Sequence, residues 1–232
     1  MTSDLRRLIA EVFGTFALVF AGTGAIVIND SSGGAITHVG IALTFGLIVL
    51  SMIYALGDIS GCHLNPAVTI GFFVAKRFEG KWLVPYIASQ FAGAILASLM
   101  LKGIFPDHPS LGATLPAGSP LQSLILEFIL TLILMVVILS VSSGSKEKGM
   151  MAGVAVGAVI ALEAMFAGPI SGASMNPARS LAPALISMRL EHLWIYFVAP
   201  CAGACLAVAL YRAMERTEPN PSNPEHIHSK ES

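Results

Sequence analysis

Six apolar runs, at about 6–28, 38–57, 82–103, 121–142, 150–168 and 192–213, limit what this chain is able to fold into. A helix that crosses a bilayer needs about 20 mostly apolar residues at about 1.5 Å of rise each, and every one of these runs qualifies. Hydrophobic residues make up 55% of the chain and charged residues 12%, against roughly 25% charged in soluble domains. A single soluble core of 232 residues has no room for that excess. The sequence therefore predicts an all-α integral membrane protein. Its start, "MTSDLRRLIAEVFGTF", is briefly basic, but the apolar run outlasts a signal-peptide core and ends in no small-residue cleavage site, so it reads as a retained first helix.

Two further apolar runs, about 65–75 and 176–187, are half that length, and each opens with Asn-Pro. Asparagine caps free N–H groups and proline suits the first helical position, so both are helix starts. About ten residues cannot cross a bilayer, which makes these re-entrant half-helices. They also lie in a repeat. "GDISGCHLNPA" (57–67) and "GPISGASMNPA" (168–178) share G-x-I-S-G-x-x-x-N-P-A, 111 residues apart. "FAGAILA" (91–97) and "CAGACLA" (201–207) match at a spacing of 110, and "AEVFGTF" around Glu11 has a weaker echo in "LEFILTL" around Glu127. Three spans and a half-span per copy give an odd number of crossings, so the second copy is inverted. Inverted repeats place their site near the midplane at broken helices. The expected organisation is one channel domain, 1–213, with repeats of approximately 5–104 and 120–213, followed by a polar, disordered cytoplasmic tail at 214–232.

Arg6, Arg7, Lys76, Arg77, Lys81, Lys146, Lys148, Arg212 and Arg216 fall on one side of this topology, and only Lys102 and Arg189 on the other, Arg179 apart. The excess of basic residues on one side predicts that both termini are cytoplasmic. A net charge of −1 gives no footing to nucleic acid. Cys62, Cys201 and Cys205 lack metal-ligand spacing, and neither a disulfide framework, a metal site nor a cofactor is expected. No nucleophile–base set or phosphate loop supports an enzyme. Asp107 and His108, in the outer loop 105–120, read as solvated loop residues.

Irregular backbone at membrane depth is tolerated only where protein buries it or where it borders a wet cavity. The segments Gly61-Cys62-His63 and Gly172-Ala173-Ser174 would then offer carbonyls as a ladder of acceptors, with Asn65 and Asn176 as side-chain donors at the middle. The plainer reading of both asparagines is as helix caps alone. Arg179 would cost several kcal/mol within a membrane unless it faced water or partners. Its plainer reading is an arginine snorkelling to the interface. Glu11 and Glu127 are intramembrane carboxylates whose repeat symmetry favours a scaffold for the irregular loops over a proton relay. Glu163 has no counterpart in the first repeat; it faces either the bundle interior or the outer vestibule. His63 reads as a packing residue, with pH sensing as the alternative. Gly93 and Ala97, Gly203 and Ala207, and Gly153 and Gly157 have the spacing that lets helices approach closely.

At the two Asn-Pro-Ala boxes (Asn65, Pro66, Ala67 and Asn176, Pro177, Ala178), with Arg179 after the second and Glu11 and Glu127 in the first and fourth spans, the sequence resembles the aquaporins, or major intrinsic proteins. The resemblance covers roughly 5–213. It implies an aquaporin-like bundle of six transmembrane helices and two half-helices around one pore, usually assembled as a homotetramer in lipid. "FAGPISGASMNPARSLAPA" looks most like the nodulin-like branch of plants and its bacterial relatives, and a bacterial-type member in an inner (plasma) membrane is expected. That branch passes water and small uncharged solutes, among them glycerol, urea and hydroxides such as arsenous or boric acid. The resemblance also implies an outer selectivity filter of Phe45, Ala164, Ala173 and Arg179. Ala164 stands where water-selective members carry histidine, which implies a wider, more apolar gate. Ser180 and Ala184 depart from the dedicated glycerol facilitators, and Tyr196-Phe197 looks aquaporin-like. Three rival readings stay open: a narrow water-selective pore, an ion-coupled secondary transporter and a non-conducting junction protein.

Overall fold

The computed structural model describes residues 3–143 and 149–215. Among them, six long helices form a bundle: α1 (Ser3–Ser31), α2 (Thr37–Ser60), α4 (Leu83–Ile104), α5 (Pro120–Val141), α6 (Ala152–Ser171) and α8 (Ile195–Met214). Two short ones, α3 (Pro66–Val74) and α7 (Pro177–Ser187), follow α2 and α6 in the matching places of the two repeats. All six long helices are apolar enough to cross a membrane. Large apolar side chains face outward along them, among them Leu47, Val84, Leu121 and Leu162. An outer surface of this kind suits hydrocarbon rather than water. Lys146 and Lys148, and nearly all of the expected tail including Arg216, lie outside the described residues.

The short helices begin where their sequences say they should. Asn65 has extended backbone and its side-chain oxygen accepts from the N–H of Ala67, with Pro66 at the first helical position. Asn176 does the same for Ala178 and Arg179, ahead of Pro177. The preceding helices end through a shared device. Gly61 (φ 83°) and Gly172 (φ 85°) adopt left-handed backbone and return their N–H groups to Gly57 and Gly168. Glycine takes this conformation without the Cβ penalty, which is why both copies carry it.

The glycines in the small-residue pairs mark where helices touch. A Cβ on Gly93 of α4 would stand 2.1 Å from the Val12 carbonyl of α1, and one on Gly203 of α8 would stand 2.3 Å from the Phe128 carbonyl of α5. Gly157 of α6 lies similarly close to the Gly46 carbonyl of α2, and Gly153 gives room to the Tyr54 ring. Arg7 and Arg77 border one surface pocket. Arg77 donates to the Leu139 carbonyl and Arg212 to the Val74 carbonyl, at the C-terminal ends of α5 and α3, where a cation complements the helix dipole.

Candidate functional site

The backbone between each long helix and the half-helix after it runs through left-handed residues that are not glycine: Cys62 (φ 51°) and Leu64 (φ 51°), then Ala173 (φ 41°) and Met175 (φ 54°). Each such residue costs on the order of 1–3 kcal/mol and persists only where its surroundings hold it. Two buried carboxylates hold it here. Glu11 accepts from the His63 N–H (3.0 Å), the Leu64 N–H (2.8 Å), the Ser60 hydroxyl (2.7 Å) and the Gln90 amide (2.9 Å). Glu127 accepts from the Ser174 N–H (2.8 Å), the Met175 N–H (2.8 Å) and the Ser171 hydroxyl (2.7 Å).

Peptide planarity turns these bonds into a functional geometry. In a trans peptide the C=O of one residue points opposite the N–H of the next. With the N–H groups of His63 and Leu64 drawn onto Glu11, the carbonyls of Cys62 and His63 face the other way. The Ser174 and Met175 bonds do the same for Ala173 and Ser174. Ser60 and Ser171 extend the pattern by one peptide, accepting from the N–H groups of Cys62 (3.0 Å) and Ala173 (3.1 Å). Gly61, Cys62, His63, Ala173 and Ser174 border a cavity of about 130 Å³; Gly172, the sixth expected carbonyl residue, does not, and Thr114 packs against it.

The same cavity is bordered by Asn65 and Asn176 and by Phe45, Ala164, Ala173 and Arg179. Residues far apart in the sequence are thus brought to one cavity. Both asparagines do more than cap. The Asn65 amide donates to the Met175 carbonyl (2.8 Å) and the Asn176 amide to the Leu64 carbonyl (2.9 Å). Each amide nitrogen carries two N–H groups, so one is committed across the repeat boundary and one remains for the cavity. Pro66, Ala67, Pro177 and Ala178 are buried behind them.

Arg179 is 2% exposed and does not reach an interface. Its guanidinium lies 5.1 Å from the Phe45 ring centre and donates to the Gly112 carbonyl at 2.7 Å. Two parts of this arrangement went unread in the sequence. Gly22 of α1 lies directly under the Phe45 ring, so close that a Cβ there would stand 2.1 Å from it. Gly112 lies in the outer loop, and a backbone acceptor carries no residue-type signature. Gln90, which bonds both Glu11 and Thr69 (2.9 Å each), was also missed. The 110-residue spacing sets Pro200 opposite it in the second repeat, and a proline has no amide to donate.

Glu163, left between two environments, is resolved: it is 1% exposed, it does not border the cavity, and neither carboxyl oxygen has a hydrogen-bond partner among the described residues. His63 is stacked on Phe72 (4.6 Å between ring centres) and flanked by Phe78 and Tyr86, with Nδ1 3.2 Å from the Thr69 hydroxyl, an aromatic packing environment. Cys62 borders the cavity while Cys201 and Cys205 do not. The expectation that His108 is solvated does not hold. Its side chain is 6% exposed, because its ring nitrogen satisfies the loop's own N–H groups.

A model of the Major intrinsic protein family matches residues 1–211. The chain is 49% identical over 214 residues to Aquaporin NIP1-1 of Oryza sativa subsp. japonica, covering 92% of this chain and 75% of the rice protein. It is 46% identical over 214 residues to a putative aquaporin, NIP4-1, of Arabidopsis thaliana, covering 92% of this chain and 76% of that protein. Among solved structures, the aquaglyceroporin from Plasmodium falciparum aligns with a TM-score of 0.80 at 27% identity, covering 90% of this chain and 95% of that one. Two crossed asparagine caps at one lumen, and a family match that runs almost from end to end, lead to one conclusion: this chain is an integral membrane protein of the major intrinsic protein family.

Proposed function

We propose that the chain is a wide neutral-solute channel of the nodulin-like branch, passing glycerol, urea and hydroxides such as arsenous or boric acid together with water. That it is a passive channel for water and small uncharged solutes, and not an enzyme, follows from its family. The wider selectivity rests on one observation: Phe45, Ala164 and Ala173 give the cavity an aromatic face and two methyl groups beside a single cation, Arg179, whose guanidinium lies over the Phe45 ring. Such a ring lets a solute place its carbon or metalloid face on apolar surface while its hydroxyls reach the guanidinium and the carbonyl ladder. Charge is excluded from two directions. The N-termini of α3 and α7 each carry about half a positive charge toward the middle of the lumen, and Arg179 adds a full one. Together they repel cations and orient water against proton transfer.

Three further readings belong to this proposal. The pocket shared by Arg7 and Arg77 supports cytoplasmic termini. The apolar outer faces of the long helices suit both lipid and neighbouring copies in a homotetramer. The nodulin-like branch draws support from relatives named as NIP aquaporins. A bacterial-type member in a bacterial inner membrane draws none, because those relatives come from rice, maize and Arabidopsis.

The test is uptake by vesicles carrying the wild type and Ala164→His. Glycerol and arsenous acid should enter wild-type vesicles well above the lipid background. The histidine should cut that uptake far more than water flow. Wild-type vesicles that conduct water but take up neither solute would make the narrow water-selective pore the correct reading.

A further inference from the structure

The Gly112 carbonyl that anchors Arg179 is held in place by a histidine on the same loop. His108 Nδ1 accepts from the N–H of Leu111 at 3.0 Å and from that of Ser110 at 3.4 Å. Leu111 is fully buried in left-handed backbone (φ 51°), and Gly112 follows it, also left-handed (φ 74°) and packed on Thr23 of α1. This short segment therefore has one position, fixed at one end by the imidazole and at the other by α1. The Gly112 carbonyl that emerges from it reaches Arg179 at 2.7 Å.

A ring nitrogen that accepts from a backbone N–H carries no proton. The proton of the neutral ring then lies on Nε2, which is 3.4 Å from Asp30 Oδ2 without a hydrogen bond to it. The remaining charged groups nearby are Asp107, adjacent in the loop; Lys102 of α4, whose ammonium donates to the Pro106 carbonyl; and Arg189, beyond α7, whose Nε approaches the Pro109 carbonyl at 3.5 Å. Both cations are engaged with loop carbonyls, and Asp30, half-exposed at the end of α1, is the anion in contact with the ring.

From this geometry we infer that His108 is a positioning residue for Arg179, and that protonation of Nδ1 from the outer side narrows the channel. This inference rests on reading Arg179 as the outer constriction. A protonated Nδ1 is a donor facing the Leu111 N–H, another donor, so the acceptor role is lost and the pair repels. The segment then leaves its position, and Gly112 withdraws from the guanidinium. With the Phe45 ring on one side and Nε already without a partner among the described residues, the lumen is the open direction for the freed side chain. The sign is definite: acid lowers flux, and neutral or alkaline pH restores it. Asp30 assists by stabilising the doubly protonated ring.

The test uses vesicles carrying the full chain, with pH set equal on both sides so that orientation does not matter, between about pH 8 and about pH 5, where histidine ordinarily changes charge. Water flow and glycerol uptake should fall several-fold in the wild type as pH drops. His108→Asn supplies a non-titrating oxygen that accepts from the N–H two residues on, as asparagine does in turns. It should conduct at the wild-type alkaline level across the whole range. His108→Leu should conduct poorly at every pH. Asp30→Asn should need more acid for the same fall. Flux that does not change with pH in the wild type, or an acid response retained by His108→Asn, overturns the inference. Absence of water and solute conduction by the wild type at every pH is a different result, which instead overturns the function proposed above.

Discussion

The side-chain amide of Asn65 donates to the backbone carbonyl of Met175 at 2.8 Å, joining positions 110 residues apart in the sequence. Its mirror, Asn176 to Leu64 at 2.9 Å, runs the other way. Each asparagine thus uses its oxygen on its own helix and its nitrogen on the other repeat. Replacing Asn176 by leucine removes the cap and the crossing bond together. A lost cap alone costs about 1 kcal/mol, and Leu64 would also lose a partner for a buried carbonyl. We expect about 2 kcal/mol of destabilisation, read as a lower unfolding temperature in detergent, and reduced water flow in vesicles.

Removing a carboxylate scaffold should be worse. Glu11→Ala strands the N–H groups of His63 and Leu64 at left-handed or adjoining positions, together with the Gln90 amide. Unsatisfied buried donors cost about 1–3 kcal/mol each. The expected result is loss of a monodisperse folded protein on size exclusion, with little functional material to assay. A well-folded, conducting Glu11→Ala would show that the loops hold their shape without it.

Glu163 offers the opposite case. No donor among the described residues reaches either oxygen, so Glu163→Gln gives up no hydrogen bond. Its unfolding temperature should match or exceed that of the wild type, and its flux should show the same pH profile. A fall in stability, or an altered profile, would show that the carboxyl group makes an interaction the amide cannot replace.

The close helix crossings yield a contrast between glycines of one helix. A Cβ on Gly93 meets backbone at 2.1 Å, whereas one on Gly103 meets nothing within 4 Å. Gly93→Ala should destabilise by about 1–3 kcal/mol, the usual cost of forcing atoms into packed space. Gly103→Ala should be neutral or stabilising by up to about 1 kcal/mol, since glycine within a helix is the poorer residue. Thermal unfolding of the two variants side by side decides it.

Cys62 is the cysteine that borders the lumen. Mercuric ion should therefore block wild-type water flow, and Cys62→Ser should conduct normally while resisting the block. Inhibition that persists in Cys62→Ser would assign it to Cys201 or Cys205 on α8.

These residues also show what the sequence reveals and what it hides. Run length and paired Asn-Pro boxes located the long and short helices to within a few residues, because length and caps are local properties. Phe45, Ala164 and Arg179 stand in three different helices yet border one cavity, a meeting that no local pattern announces. Gly112 was out of reach, because its contribution is a carbonyl that every residue possesses. His108 was misread as solvated because loop composition says nothing about which N–H groups need an acceptor. Gly22 was hidden for a third reason: its use is the space it leaves to Phe45, visible only once both helices are placed.

The crossed amide bonds bear on how such a chain is made. A polypeptide enters the membrane from its N-terminus, so Asn65 is in place while Met175 has yet to be synthesised. Until the second half arrives, the first re-entrant segment has nothing opposite it to grip. Its hold on the second repeat therefore forms only after Met175 has entered, whereas the grip of Glu11 on the same loop is available within the first repeat.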